Sequence, residues 1–403
     1  MRLGELAEFR NGLNYTDADL GKGLAIVGVT DFQDHVIANL SALQEIGLSA
    51  MPKDNAMVHK NDILFVRSNG NRELIGRSLF VKHSPQMPTS HSGFTIRCRF
   101  LSSICYPRFY AYLFRGPIIR RTLSAQGGGT SISNLNQGIL SALVVPVPPM
   151  WEQERIASIL SAFDDLIENN TRRITILEEM ARRIFEEWFV HFRAPGCATL
   201  PRIDTPLGPV PEGWEAVRLD EITNNFDRLR KPISKMLRSE RQGPYPYYGA
   251  AKIVDHIDEY LFDGEYLLIA EDGSVITKEG YPVLQLVDGK FWVNNHTHVL
   301  TAKPPFSLWF IYLVLSRYSI VGHVTGAAQP KITQENLNRI LCIRPPMEVL
   351  TEFEKLAAPI FRLCSNFNKQ NHNLRAQRDL LLPQLISGEI DVSVAPALLE
   401  AAE

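Results

Sequence analysis

The sequence predicts an α+β protein made twice over. Two similar mixed domains are separated by two long helices that pair as an antiparallel coiled coil, and the halves are related by a pseudo-twofold axis. Three observations predict this. First, LNQGILSALVVPVPP around Leu135 returns as ITQENLNRILCIRPP around Ile332. A constant shift of 197 carries Leu135 to Ile332, Leu140 to Leu337, Leu143 to Ile340 and Pro148-Pro149 to Pro345-Pro346. Second, each copy runs on into a long helical pattern. Third, each is preceded by short apolar runs broken by turn residues, and GWEAVRLDEI at the start of the second domain echoes MRLGELAEF at the start of the first. Two copies in 403 residues are too few for a solenoid. Twin halves suit a target that itself has two halves, such as a bipartite DNA site.

The predicted boundaries follow from these patterns. Residues 1–150 hold LAIVGV, DILFV and FTIRCRF among turns and a few helical stretches, an α+β domain. A helix follows over 151–195, with Phe163, Ile167, Asn170, Ile174, Leu177, Ala181, Ile184 and Trp188 alternating steps of four and three. That is the spacing of a coiled-coil seam. Prolines 195, 201, 206, 209 and 211 make 196–211 an ordered linker without helix or central strand. A second α+β domain spans 212–347, and a second helix spans 348–388 before a tail at 389–403. Its seam is Ile360, Cys364, Phe367, Asn371, Leu374, Arg378, Leu381 and Leu385. The polar seam residues Asn170, Asn371 and Arg378 lie either at a wet edge or at buried positions that fix register. About 37 helical residues make a rod of roughly 55 Å, longer than the about 34–36 Å of one DNA turn.

Bulk composition is that of an ordinary globular chain, 45% hydrophobic and 21% charged, with a net charge of −2. The charge is unevenly spread. Residues 1–150 carry 15 basic against 10 acidic side chains, whereas 151–195 carry 6 against 9 and 348–403 carry 5 against 8. The acidic helices are therefore poor candidates for facing phosphates, and DNA contact is expected from the two domains. MRLGELAEFR lacks a secretory pattern, and FSLWFIYLVLS falls short of the about 18 apolar residues a membrane span needs. Cysteines 98, 105, 197, 342 and 364 show no CxxC pairing or metal-ligand spacing, as expected of inert thiols in a reducing cytoplasm.

The proline pair leading into an amphipathic helix, VPPMWEQERIASILSAFDDLI, and the phrase LGPVPEGWE resemble the specificity subunit of type I restriction–modification systems. The resemblance spans roughly residues 1–388. It implies two target-recognition domains, each reading half of a split sequence in double-stranded DNA. It also implies helices that dock two methyltransferase subunits, with Trp151, Ile156 and Ile159 as docking candidates, and association with restriction subunits. The second copy reads RPPMEVLTEFEKL and lacks the Glu152-Gln153 pair, which argues against two equal docking surfaces. The alternative is a stand-alone DNA-binding regulator or antirestriction decoy of the same fold.

No GxxxxGK[ST] loop, GxG loop or NPPF/DPPY-like tetrad occurs, and no nuclease cluster or nucleophile elbow is evident. The chain is expected to read DNA, with no catalytic residue, metal or cofactor of its own. S-adenosylmethionine, ATP and magnesium belong, by the resemblance, to its partners.

Reading residues are expected on three kinds of segment. The turn after DILFV presents Arg67, Ser68, Asn69, Asn71 and Arg72, and Arg and Asn pair in bidentate fashion with guanine and adenine edges. The matching turn after EYLLIA carries Glu271, Asp272, Ser274 and Lys278; acidic groups there suit cytosine N4 and hence a different half-site. The loop AQGGGTSISNLN offers Thr130, Ser131 and Asn134, and its counterpart TGAAQPKITQEN offers Gln329 and Lys331. A basic and tyrosine-rich run contributes Arg230, Lys231, Lys235, Arg238, Arg241, Lys252 and Tyr247 as a backbone-tracking surface. In FWVNNHTHVL, Asn294, His296 and His298 share a strand face. Two histidines there begin a metal site without an evident third ligand, and His91 in SHSGFTI looks like their repeat partner.

Overall fold

A computed structural model describes residues 1–32, 36–47, 52–71, 74–125, 134–326 and 329–393. Arg72, Thr130 and Ser131 lie outside the described residues. The chain divides into two compact units, Met1–Asn169 with Lys369–Glu403, and Asn170–Asn368. Each unit holds one sheet domain and part of each long helix. Among the described residues, no helix is long and apolar enough to cross a membrane.

In the first unit a four-stranded antiparallel sheet runs in the order Ala7–Asn11, Thr95–Phe100, Ile63–Val66, Ser78–Phe80. Ile63–Val66 is buried along its whole length, as expected of an unbroken apolar run covered on both faces. A second sheet pairs Leu20–Val27 in parallel with Thr89–His91 and antiparallel with Gln44–Ile46. The second unit repeats this topology in one six-stranded sheet. Its first four strands are Thr223–Asn225, Thr297–Ala302, Phe262–Ala270 and Leu284–Val293. Tyr245–Tyr248 then pairs in parallel with Leu284–Val293 and antiparallel with Ile253–Ile257.

The repeat extends to single hydrogen bonds. Leu3 N donates to Leu143 O at 2.8 Å, and Leu219 N donates to Ile340 O at 2.8 Å. The short helices that follow, Gln137–Ala142 and Gln334–Asn338, are each capped by a side-chain oxygen, from Asn136 to Ile139 N and from Thr333 to Asn336 N. An uncapped first turn would leave amide donors unsatisfied.

The long helices are Met150–Phe185 and Met347–Ser387. A five-residue π turn, Glu186–Val190, prolongs the first. In the first unit Ile156, Ala157 and Leu160 share a core with Leu382 and Leu385. In the second, Ala181, Phe185 and Phe189 share one with Phe353, Ala357 and Phe361. Early residues of one helix thus meet late residues of the other in both units, which is antiparallel pairing. The expected seam is only partly the observed one. Asn170, Ile174, Ala181, Cys364, Asn371, Arg378 and Leu385 are buried, but Phe361 and Leu382 are buried in place of Ile360 and Leu381. Each helix end packs on a sheet domain as well as on its partner helix, so its apolar stripe is wider than a two-residue seam.

The polar seam residue Arg378 is buried and paired: Nη1 donates to Asp164 Oδ1 at 2.5 Å, and Tyr112 Oη donates to Asp164 Oδ2 at 2.5 Å. The Pro-rich segment expected as an ordered linker holds neither a helix nor a central strand among its described residues. Arg202–Thr205 and Gly208–Pro211 form a two-stranded hairpin. Proline is tolerated there because a two-stranded ribbon has only edge strands.

Candidate nucleic-acid interface

In each unit two loops are stitched together beside the tip of a strand. In the first, Arg67 N donates to Phe94 O at 2.8 Å, and Leu135 N donates to Arg67 O at 2.9 Å. In the second, Glu271 N donates to His296 O at 2.9 Å, and Ile332 N donates to Glu271 O at 2.9 Å. Arg67 and Glu271 therefore occupy equivalent places, each following a fully buried strand end. Register equates Thr95, opposite Val66, with Thr297, opposite Ala270. His298 accordingly matches Ile96 rather than His91, which corrects the expected histidine pairing.

In the first unit Arg67 is half-buried and its Nη1 donates to Gly93 O at 3.4 Å. Asn69 Oδ1 accepts from Asn71 N at 2.8 Å, folding the turn on itself. Ser68 and Asn69 border a cleft of about 560 Å³ that Tyr15, Asp31, Gln44 and Phe94 also line. Phe94 stands 63% exposed at the strand tip. Sequence reasoning passed over Tyr15, Gln44 and Phe94, because nothing in their spacing separates them from core residues. Asn134 is exposed directly before Leu135.

In the second unit the turn 271–274 and the segment 329–332 converge. Gly273 N donates to Pro330 O at 3.1 Å, and the backbones of Asp272 and Lys331 form an isolated antiparallel β-bridge. Gly273 adopts φ 75°, and Gly326, at φ 87°, lies where a Cβ would come within 2.4 Å of Gln329 O. Both positions favour glycine. Ser274, Lys278, Gln329 and Lys331 are exposed, and Asp272 Oδ2 lies 2.8 Å from His296 Nδ1.

Beneath these loops lies a compact ionic network. His298 Nδ1 faces Asp227 Oδ2 at 2.6 Å, and its Nε2 faces Ile332 O at 2.9 Å. Asp227 Oδ1 also accepts from Val299 N at 2.9 Å. Burial pushes the Asp227 carboxyl up, but hydrogen bonds from His298 and Val299 and the charges of His298 and Arg230 hold it below 3.8 overall. Asp227, which sequence reasoning passed over, and Glu271 bring carboxylate oxygens together with a ring nitrogen of His298, all within 4.8 Å of one another. The chemistry is that of an ion-pair network rather than a metal centre. Arg230 Nη1 donates to Glu271 Oε2 at 2.6 Å, Lys331 Nζ sits 3.2 Å from Glu271 Oε1, and both nitrogens of His298 point at oxygen acceptors.

Two expected surface residues are withdrawn from the surface by this packing. Arg230 also donates to Thr297 O at 2.8 Å, so its guanidinium is spent inside the unit. Tyr247 is 1% exposed, accepts from Ile233 N at 3.0 Å and lies under the Arg238 guanidinium. Arg238 and Arg241 pair with Asp255, and with Asp258 and Glu259. The acidic residues Asp255, on strand Ile253–Ile257, and Asp258 and Glu259, just beyond it, account for this, and the basic run alone did not reveal it. Lys231 and Lys252 remain exposed.

The docking candidates also separate. Trp151 is 54% exposed, Ile159 is half-buried, and Ile156 is 1% exposed in the first-unit core, which removes it from any outer surface. Gln153 has an inward role. Its Oε1 accepts from Tyr106 N at 2.8 Å, and its Nε2 donates to Ile104 O and Pro148 O at 2.8 Å each. The equivalent Leu350 fills the corresponding core with an apolar side chain.

Comparison with known proteins gives a consistent picture. The family described as type I restriction modification DNA specificity domain matches residues 1–179 and 211–370. The type I restriction enzyme MjaIX specificity subunit of Methanocaldococcus jannaschii is 29% identical over 297 residues, covering 70% of this chain and 68% of its own. The putative MjaX specificity subunit of the same organism is 23% identical over 403 residues, covering 96% and 92%. The crystal structure of a type I restriction-modification S subunit from M. genitalium superposes with a TM-score of 0.52 at 16% identity, covering 96% of this chain and 95% of that one. That likeness shows the fold.

Proposed function

The chain belongs to the family of type I restriction–modification DNA specificity domains, and from this premise we propose that it is the non-catalytic subunit that selects the DNA site of such a complex. Each sheet domain reads one half of a bipartite sequence. The observation that carries this reading is the duplicated stitch, Leu135 to Arg67 and Ile332 to Glu271, which presents the same two loops in both units with different side chains. Arg67, Asn69, Asn71 and Asn134 suit purine edges in the major groove, whereas Asp272, Ser274, Gln329 and Lys331 offer a mixed acceptor and donor set. Lys231, Lys252 and Lys278 are exposed cations suited to the backbone.

Methyltransferase subunits dock on the helical surface around Trp151 and Ile159 and supply S-adenosylmethionine and the pocket for an extruded adenine. Restriction subunits supply ATP- and magnesium-dependent translocation and cleavage. Mapping methylated adenines genome-wide, with and without this gene, tests the reading. The expected result is loss of one gapped motif on deletion. An unchanged methylation pattern, with no neighbouring gene product co-purifying, would favour the stand-alone regulator.

A further inference from the structure

The cleft of about 560 Å³ beside the turn 67–71 has the make-up of a site for a neutral, planar ligand. Its volume falls within the about 300–1,000 Å³ typical of small-ligand sites. Buried Ile26 and Ile75 and half-buried Val29 give it an apolar lining. Among its described lining residues there is no lysine or arginine, and the Asp31 carboxylate accepts from Gly28 N at 2.7 Å. A phosphate would find no cation in this lining, whereas an uncharged heterocycle meets apolar faces.

Polar groups converge on the same space. Ser92 lines the cleft and is 2% exposed, and its hydroxyl has no hydrogen-bond partner among the described residues. A buried hydroxyl left without a partner is costly, and a ligand that bonds to it removes that cost. Asn69 and Gln44 add side-chain amides, which pair in bidentate fashion with base edges. Burial, then the charges of Asp31 and Asp17, push the Tyr15 phenol up, so it stays a donor.

Phe94 forms the lip. Its carbonyl accepts from Arg67 N at 2.8 Å and from Ser68 N at 3.3 Å, which pins the strand tip to the turn. Its ring is 63% exposed and belongs to none of the hydrophobic clusters formed by the described residues. The duplication supplies a comparison. Phe94 corresponds to His296, whose carbonyl accepts from Glu271 N but whose ring lies 2.8 Å from Asp272 Oδ2. The fold of a unit does not require an apolar ring at this tip, so the bare one is a property of the first unit.

On the reading that residues 1–150 contact DNA, we propose that this cleft takes up one base of their half-site, turned out of the duplex and stacked against Phe94. Stacking and the waiting polar groups offset the loss of pairing. The base is not the adenine that a partner methylates, because that one enters the partner's own pocket. The test uses the full-length chain with its methyltransferase partners, bound to the gapped duplex that methylation mapping identifies. A fluorescent analogue, 2-aminopurine for purines and pyrrolocytosine for pyrimidines, replaces each base of the half-site in turn, and its emission rises when it leaves the stack. A severalfold rise is expected at one position besides the methylated adenine. Phe94→Ala and Ser92→Ala, both checked by thermal melting, should bring that signal back towards the level of free duplex while the methylated adenine still brightens. A complex that discriminates the bases of this half-site yet brightens only at the methylated adenine keeps the reading and overturns the cleft site. So does a second bright position that both variants leave intact. A complex indifferent to the sequence of this half-site overturns the reading and the cleft site together.

Discussion

Arg67, just after strand Ile63–Val66, and His91, at the end of strand Thr89–His91, belong to the same unit, yet their environments differ sharply. Arg67 follows a fully buried strand, and its guanidinium donates over a long 3.4 Å to Gly93 O. Arg67→Ala should cost about 1–3 kcal/mol at one base pair and relax only one half-site, read by competition binding against single-base variants. A uniform loss across unrelated sequences would make it a phosphate contact. His91 is completely buried, and burial together with Arg97, Arg10 and Arg99 pushes it down to about 3. The folded value lies below the unfolded one of 6.5. The unfolded chain therefore takes up the proton first, and stability present above 6.5 is lost progressively as pH falls towards 3. Denaturant unfolding at pH 7 and pH 5 should show a smaller drop for His91→Asn than for the wild type. Equal drops would place the acid sensitivity elsewhere. The place of Arg67 just after a buried strand was legible from its strand-then-turn setting, but the fate of Arg230 and Tyr247 was not. Their partners are Glu271 and Thr297, and Ile233 and Arg238, and only the fold brings most of these together.

At the scale of elements, the first long helix divides its labour around a residue pair that the sequence alone could not sort. Trp151 and Ile156 both look like candidates for a partner surface, but only Trp151 is exposed. Trp151→Ser should leave melting unchanged and lose methyltransferase pull-down, whereas Ile156→Asn should destabilise by about 2–5 kcal/mol through the core it leaves. Retained pull-down by a folded Trp151→Ser protein would move the docking surface elsewhere. The four-three spacing revealed both helices and their centre at Asn371 and Arg378, but periodicity cannot show that their ends also cover sheet domains. Phe185, Phe189, Leu382 and Leu160 are buried for that reason. If the helices set the distance between half-sites, four residues inserted at Ile174 and four near Asn371 add roughly 6 Å of helix. The recognised gap should then lengthen by about two base pairs at about 3.4 Å each. The same gap in the insertion variant would show that the helices are not a ruler.

For the whole molecule, the duplication was the most legible feature, because a 197-residue shift, gapless from Leu135 into the long helix, predicts shared topology as well as shared residues. The strand order, the stitch between loops and the capped helix before the proline pair all repeat. Less legible was the asymmetry laid over the repeat. Gln153 against Leu350 and the Asp227–His298 network each depend on contacts between distant segments. Those contacts let one fold carry two loop surfaces of different chemistry. The most direct test is to exchange residues 212–347 for the corresponding domain of a relative and map methylated adenines in cells that carry the partner subunits. One half of the gapped motif should change to that of the donor while the other half and the gap stay fixed. Alteration of both halves, or of neither, would contradict independent reading by two domains.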